Sequence, residues 1–309
     1  MRIQDVALEY ISLNVFNSYT ADKVRTVAEL FDRRSGCNNV GELERIHLIN
    51  FKEQTLAVAK PVTYNGYIGY LKLLGKFMLE EGYVSIDPFS SLRCATLGKG
   101  RPKVISDTTL KTATEYLSRN TNSYEPAWFW LTVIRFLYMT GVRRRQLVFI
   151  RVADVDFTRG LITLRREGSK THRAWVIPLA ETLVNELQVL IQSSEQSLSR
   201  SLRDDDPLFN ICWLNDRYKP YQHDVCLMNP ASITGFFKRL SRDSGVRIGA
   251  HRFRHTTATN LCNVKNDEEI DLFSVQTLLG HTSLNTTRRY VQSNIASMSK
   301  VLNRLECPV

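Results

Sequence analysis

Near its C-terminal end the chain reads LLGHTSLNTTRRYVQSN, with His281 nine residues ahead of Tyr290 and two arginines directly before the tyrosine. A phenol has a pKa of about 10 and is a poor nucleophile until its proton is taken and its oxyanion is stabilised. Histidines and cations are the groups that do this, and three other places supply them. TGVRRRQL sets Arg143 just past a helix-ending glycine, where a guanidinium can grip a phosphate through two parallel hydrogen bonds. EGSKTHR sets Lys170 at a hairpin tip, from which a lysine can donate a proton to a leaving oxygen. HRFRH places His251 and Arg254 three residues apart on one helix face, a proton acceptor beside a phosphate clamp. His255 stands four residues after His251, which is also metal-ligand spacing. Two arginines in the same turn repel a cation and no acidic or cysteine ligand is near, so a packed structural histidine is expected there.

Each piece alone has a bland reading. A triple arginine is usually a solvated face, and a turn lysine is usually just solvated. Together the order Arg, Lys, His-x-x-Arg, His, Tyr makes a set for transferring a phosphoryl group without a metal. Two arginines neutralise the nonbridging oxygens of the pentacoordinate state, and that electrostatic term is usually the largest in such a site.

The elements that must hold these groups are mostly helices. Apolar residues recur at helical spacing in VALEYISLNVF, VRTVAELF and LERIHLINFKEQTLA. A further helix, TYNGYIGYLKLLGKFMLEEG, starts after Pro61 and stops near Gly82. The stretch LGKGRPK is rich in Gly, Pro and Lys and poor in apolar residues, so residues 97–103 read as a basic linker between a helical domain at 1–96 and a second domain at 104–309. In the second, SDTTLKTATEYL opens a helix at Ser106 or Asp107, and AWFWLTVIRFLYMTGV reads as a buried helix ending at Gly141. GLITLRREGSKTHRAWVIPL alternates in the manner of strands around a turn at residues 167–171, which predicts a β-hairpin. Helices are expected at ETLVNELQVLI and ASITGFFKRLSRDSG, with the polar tract 192–225 between them read as a long loop. Four more helical segments close the chain, among them NTTRRYVQSN, with Tyr290 in about its second turn. The last, IASMSKVLNRL, is read as a tail helix. The fold class is therefore mainly α with a small β-hairpin or sheet.

Composition narrows the partners. The chain has 309 residues, 43% hydrophobic and 23% charged, which fits a globular chain of one large or two ordinary domains. Its richest apolar stretch, at 128–139, is short and broken by Arg135, so no membrane partner is expected. The N-terminus lacks the pattern of a signal peptide, and six scattered cysteines without a C-x-x-C pair point to reduced thiols in a cytoplasmic protein. No metal or other cofactor is expected. Net charge is +10, while residues 1–98 carry 11 basic and 11 acidic side chains, so the whole excess lies beyond them. A basic balance favours a polyanion, nucleic acid first.

With these motifs on hand, the chain resembles the tyrosine recombinases of the phage-integrase and Xer-like type. The matching stretches are TGVRRRQL, SKTHRAWVIPL, HRFRHTTAT and LLGHTSLNTTRRY, with TYNGYIGYLKLLGKFMLEEGYVSIDPF in the first domain. The likeness covers nearly the whole chain, and the C-terminal boxes are its specific part. It implies a helical, SAM-like core-DNA-binding domain followed by an α+β catalytic domain. It further implies that Tyr290 attacks the scissile phosphate to form a 3′-phosphotyrosine bond. His251 would accept the tyrosine proton, Lys170 would donate one to the 5′-oxygen, Arg143 and Arg254 would clamp the phosphate, and His281 would hydrogen-bond it. Because the phosphodiester energy is kept in the protein–DNA bond, neither ATP nor metal is needed.

The implied partner is double-stranded DNA at recombination sites, bound by a homotetramer or together with a host recombinase, in the cytoplasm at the nucleoid. The tail helix would dock on a neighbouring subunit. With no arm-binding domain ahead of residue 1, a large looped complex is not expected. The expected task is integrating or excising a mobile element or phage. The alternatives are an Xer-type resolver of chromosome dimers, a type IB topoisomerase-like enzyme, or an inactive DNA-binding protein on the same fold. Two departures stand out. Gln146 occupies a position that is usually acidic in the family, which puts the orientation of Arg143 in question, and Ala250 replaces a common proline.

Overall fold

The structure is a computed structural model that describes residues 1–98, 102–169, 173–215, 227–263 and 271–291. The chain divides into two compact units, residues 1–100 and 101–309.

The first unit is a bundle of α1 (Ile3–Leu13), α2 (Ser18–Ser35), α3 (Arg45–Val58) and α4 (Pro61–Glu80). The Asn17 side chain accepts from the Thr20 amide at 2.9 Å and so satisfies one of the orphan donors of α2. Pro61 opens α4, where a missing N–H breaks no helical bond. The core is aromatic. Phe31 lies between Phe51 and Phe89, with ring centroids 5.1 Å away on each side, and Tyr64 is buried beside them. The helices expected from the spacing of apolar residues are all present.

The second unit is built on α5 (Asp107–Arg119) and α6 (Ala127–Thr140). Then come α7 (Arg144–Phe149), the strands β1 (Val155–Asp156), β2 (Leu161–Leu164) and β3 (Trp175–Pro178), and α8 (Glu181–Leu198). It continues with α9 (Ile211–Leu214), α10 (Pro230–Asp243), α11 (Ala250–Cys262), α12 (Leu272–Leu279) and α13 (Leu284–Arg288). α5 begins at Ser106, whose hydroxyl accepts from the Thr109 amide. The apolar helix α6 runs through the core as its composition predicts, packed against α11. On another side its Trp130 stacks on Phe236 of α10, 3.9 Å apart with the ring planes 5° from parallel.

The hairpin is present. β2 and β3 pair antiparallel from Leu161 opposite Pro178 to Leu164 opposite Trp175, with Ile162, Leu164 and Ile177 on the core face. A two-residue strand, β1, adds to β2, so the sheet has three strands in the order β1-β2-β3. The hairpin residues 170–172, the linker residues 99–101 and the tail helix lie outside the described residues.

Three expectations are corrected. The polar tract from 192 is helical as far as Leu198, because α8 continues its buried stripe Leu183, Leu187, Leu190 through Ser194, whose hydroxyl bonds back to the Leu190 carbonyl. A serine at a core-facing position hides that stripe from a reading of apolar period. α9 then interrupts the same tract, its Cys212 amide donating to the Asn210 side chain. Tyr290 lies just beyond α13 in a turn closed by its amide on the Thr287 carbonyl at 2.9 Å, not inside a helix. Finally, Cys212 is disulfide-bonded, so the expectation of reduced thiols fails there, while Cys37, Cys94 and Cys262 are free.

Candidate active site

Two glycine turns aim two of the polar groups. α6 ends at Gly141 with φ of +64°, a left-handed conformation that L side chains adopt only under strain. A Cβ on Gly141 would also stand 2.9 Å from Leu279 Cδ2 and 3.3 Å from Thr257. The turn delivers Arg143 to the N-cap of α7. α12 ends in the same way at Gly280, with φ of +60°, and a Cβ there would stand 2.3 Å from the Trp175 ring. That turn delivers His281.

Arg254 ties the two turns together. It lies on α11 and is 4% exposed. Its Nη1 donates to the Gly141 carbonyl at 2.9 Å and its Nη2 to the Leu279 carbonyl at 2.5 Å. One buried guanidinium thus satisfies carbonyls at the C-terminal ends of both α6 and α12, groups that no helix can satisfy internally. Trp175 of β3 adds a bond from its indole N–H to the Leu278 carbonyl at 3.3 Å, linking the sheet to the His281 turn.

Arg143 is held differently. Its backbone N–H donates to the Gln146 side chain at 2.8 Å, so the residue that departs from the family pattern caps α7 and fixes the backbone from which Arg143 projects. The Arg143 Nη1 is buried and has no hydrogen-bond partner among the described residues. A buried donor on a charged group is costly unless something accepts from it, and an anion is the natural acceptor.

Tyr290 is 7% exposed and packed on three sides. His281 stacks against it, 6.1 Å between centroids and 8° from parallel. Asn263 donates to the Tyr290 carbonyl at 2.8 Å. The phenol oxygen lies 2.9 Å from Nδ1 of His255, and the His255 ring meets His251 edge-on at 4.4 Å. His281 uses its own Nδ1 on the Thr287 hydroxyl at 2.9 Å. His251 is exposed, in the first turn of α11. It lines a cavity of about 700 Å³ with Arg143, Arg144, Lys238, Arg252 and Arg254.

The electrostatics are those of a cationic site awaiting an anion. Burial, then repulsion from Arg143, draws Arg254 down to about 9, and burial lowers Arg143 as well. Burial, then repulsion from His251 and Arg254, brings His255 to about 4. Burial, then Arg254 and Arg143, brings His281 to about 4. His251 is lowered by desolvation and by Arg254, Arg143 and Arg144. At neutral pH these histidines are uncharged while both arginines remain cations. The Tyr290 phenol is raised by burial, against the pull of Arg254, Arg289 and Arg143.

Of the six residues singled out in the sequence, Arg143, His251, Arg254, His281 and Tyr290 lie around one site formed by α6, α7, α11, α12 and α13. Lys170 lies outside the described residues. The structure adds His255, whose spacing was visible but whose approach to Tyr290 was not. Among the described residues no group of three or more His, Cys, Asp or Glu is placed to hold a metal ion, and no helix is long and apolar enough to cross a membrane.

Comparison with known proteins bears on the family and the fold. A Pseudomonas aeruginosa protein that carries the name tyrosine recombinase XerC is 30% identical over 252 residues, which is 78% of this chain and 56% of that protein. The chain thus spans a little over half the length of that relative. A Tn1549 transposon integrase in complex with a circular intermediate DNA shares the fold with a TM-score of 0.73 at 16% identity, covering 99% of this chain and 100% of that one. A lambda integrase, solved as a tetramer bound to a Holliday junction, has a TM-score of 0.70 at 14% identity, covering 94% of this chain and 76% of that one. The family model described as the phage integrase family matches residues 99–296, which hold every residue of the site, and the chain belongs to that family of tyrosine recombinases.

Proposed function

We propose that this chain is a site-specific DNA recombinase that cleaves and rejoins strands through a 3′-phosphotyrosine intermediate. The observation that carries this reading is the convergence on one cationic site of a buried phenol and two arginines, one with a buried donor that has no partner among the described residues. Tyr290 attacks the scissile phosphorus, and the P–O5′ bond breaks. Arg143 and Arg254 hold the nonbridging oxygens. His281, stacked on the phenol, and His251, at the rim of the cavity, complete the phosphate pocket. Lys170 protonates the leaving 5′-oxygen. When a second 5′-hydroxyl attacks that phosphorus, the bond to the Tyr290 oxygen breaks, the phenolate leaves and a phosphodiester is restored. Such a site works by positioning and by electrostatic stabilisation.

Residues 1–96, within the first unit, are read as the core-DNA-binding domain, and the basic segment 97–103 as the linker that follows the phosphate backbone. Double-stranded recombination sites are the partner. A homotetramer, or an assembly with a host recombinase, joins two sites; the structurally similar lambda integrase is solved as a tetramer bound to a Holliday junction. The task we favour is integration or excision of a mobile element.

The test is a denaturing gel. Full-length protein is incubated with nicked suicide duplexes cut from host DNA and from circularised mobile-element ends. Wild type is expected to leave protein covalently attached to a 3′ end and Tyr290→Phe to leave none. Equal binding by both with no adduct from either would overturn the enzymatic reading in favour of a binding protein.

A further inference from the structure

We infer that His255, not His251, is the group that takes the proton from the Tyr290 hydroxyl. The inference rests on the reading of Tyr290 as nucleophile and deepens it. Three observations carry it. The phenol oxygen has its hydrogen-bond distance to His255 Nδ1, 2.9 Å, and among the described residues its bond is to that ring and not to His251. The tyrosine cannot readily turn elsewhere, because Asn263 holds its carbonyl and His281 stacks on its ring. The other adjacent histidine is engaged, since His281 Nδ1 is bonded to Thr287.

The arrangement gives the two histidines of α11 separate tasks. His251 faces the cavity beside Arg143 and Arg254, where it meets phosphate. His255, one turn further along the helix and edge-on to His251, faces the nucleophile. For the transfer, neutral His255 carries its hydrogen on Nε2 and offers the Nδ1 lone pair to the phenol O–H. As the Oη–P bond forms and the P–O5′ bond breaks, the phenolic proton passes to Nδ1, leaving an imidazolium. The 5′-oxygen takes its proton from the general acid on the opposite side of phosphorus. On rejoining, the imidazolium returns the proton to the departing phenolate.

The charged surroundings explain why the step waits for DNA. Burial opposes charge on the His255 ring most, and Arg254, Arg289 and Arg252 oppose it further, as does His251 when protonated. Burial also holds the proton on Tyr290. A phosphate between Arg143 and Arg254 cancels part of the arginine field at His255, and the charge shed by the phenol passes into oxygens that the arginines grip. The nucleophile is thus inert in the free protein and becomes active when phosphate arrives.

The experiment is single-turnover cleavage by the full-length protein of two nicked duplexes. One has the normal bridging oxygen and the other a 5′-bridging sulfur, which leaves without needing a proton. A general base contributes about 10²–10⁴-fold, so His255→Ala and His255→Gln should each cut slower by about that factor on both duplexes. DNA affinity should hold, and added imidazole should restore part of the His255→Ala rate. His251→Ala should retain wild-type proton sensitivity in its pH–rate profile. Should His255→Ala not fold, His255→Gln decides, because it keeps a polar side chain but cannot take a proton at neutral pH. A His255→Gln rate within about threefold of wild type overturns the inference, because a proton acceptor is worth far more. So does a His255 defect that disappears with the sulfur leaving group. If wild type itself forms no adduct, the nucleophile reading fails and this inference with it; a wild-type adduct with an undiminished His255→Gln rate overturns the inference alone.

Discussion

Substituting Gly280 by alanine should unfold the His281 turn for two reasons whose sizes can be worked out separately. The backbone there has φ of +60°, and an L residue in that left-handed region costs about 1–2 kcal/mol relative to glycine. The new Cβ would also lie 2.3, 2.5 and 2.8 Å from three atoms of the Trp175 ring. Carbon atoms sit about 3.5–4.0 Å apart at best, so the ring must retreat by about 1 Å or more. That ring is anchored by its bond to the Leu278 carbonyl and sits on the sheet, and overpacking of this kind costs about 1–3 kcal/mol. The total is about 2–5 kcal/mol, or a fall in Tm of about 4–20 °C for a domain of this size. The assay is thermal or urea unfolding of the full chain as wild type, Gly280→Ala, Trp175→Ala and the double variant. Removing the ring should relieve the steric part, giving a favourable coupling of about 1–3 kcal/mol in the cycle, while the backbone part remains. A Gly280→Ala protein that melts within about 1 °C of wild type would refute both arguments, and a coupling of zero would refute the ring contact alone.

Arg143→Met should abolish the covalent adduct yet leave the free protein as stable or more stable by up to about 1 kcal/mol, because it removes a buried charged donor that has no partner among the described residues, as unfolding in urea would show. Arg254→Met should instead destabilise by on the order of 2 kcal/mol or more, since it strips two helix-end carbonyls of their donor. Stability should depend on pH through His255 and His281. Both titrate near 4 in the folded chain against 6.5 unfolded, so the unfolded state binds more protons in that window. Their contribution is complete above about pH 6.5 and is lost as pH falls towards 4, and His255→Gln should flatten a plot of urea midpoint against pH. Lys238→Ala, at the rim of the basic cavity, should weaken DNA binding alike for all sequences and reduce the slope of log affinity against log salt by about 1, read by titration across salt concentrations.

Much of this molecule was legible in one dimension because the signals are local. A 3.6-residue apolar period, a serine ahead of Asp107 and a glycine after α6 each act within a few residues of themselves, so α1 to α6 could be placed from local signals, whereas the short α7 carries too few residues to show a period. Where a polar side chain faces inward, as Ser194 does, the same period breaks off and a helix reads as a loop. The two-residue strand β1 is too short to carry any period, and only its partner β2 makes it a strand.

The residue types of the site were equally visible, since phosphoryl transfer needs cations, a proton acceptor and a nucleophile, and their order along the chain is distinctive. What only the tertiary structure decided is who touches whom. Gln146 was read as a threat to Arg143, whereas the fold makes it the cap beneath that residue. Arg254 was read as a phosphate clamp and is also the tie between two helix ends from distant parts of the chain. His255 was read as packing, and the fold sets it against the Tyr290 hydroxyl. Sequence spacing fixes which residues share a helix face, because the helix geometry is universal. It does not fix the approach of α11 to the turn after α13, which depends on how buried side chains from separate segments fill one core, and that approach selects the histidine that meets Tyr290.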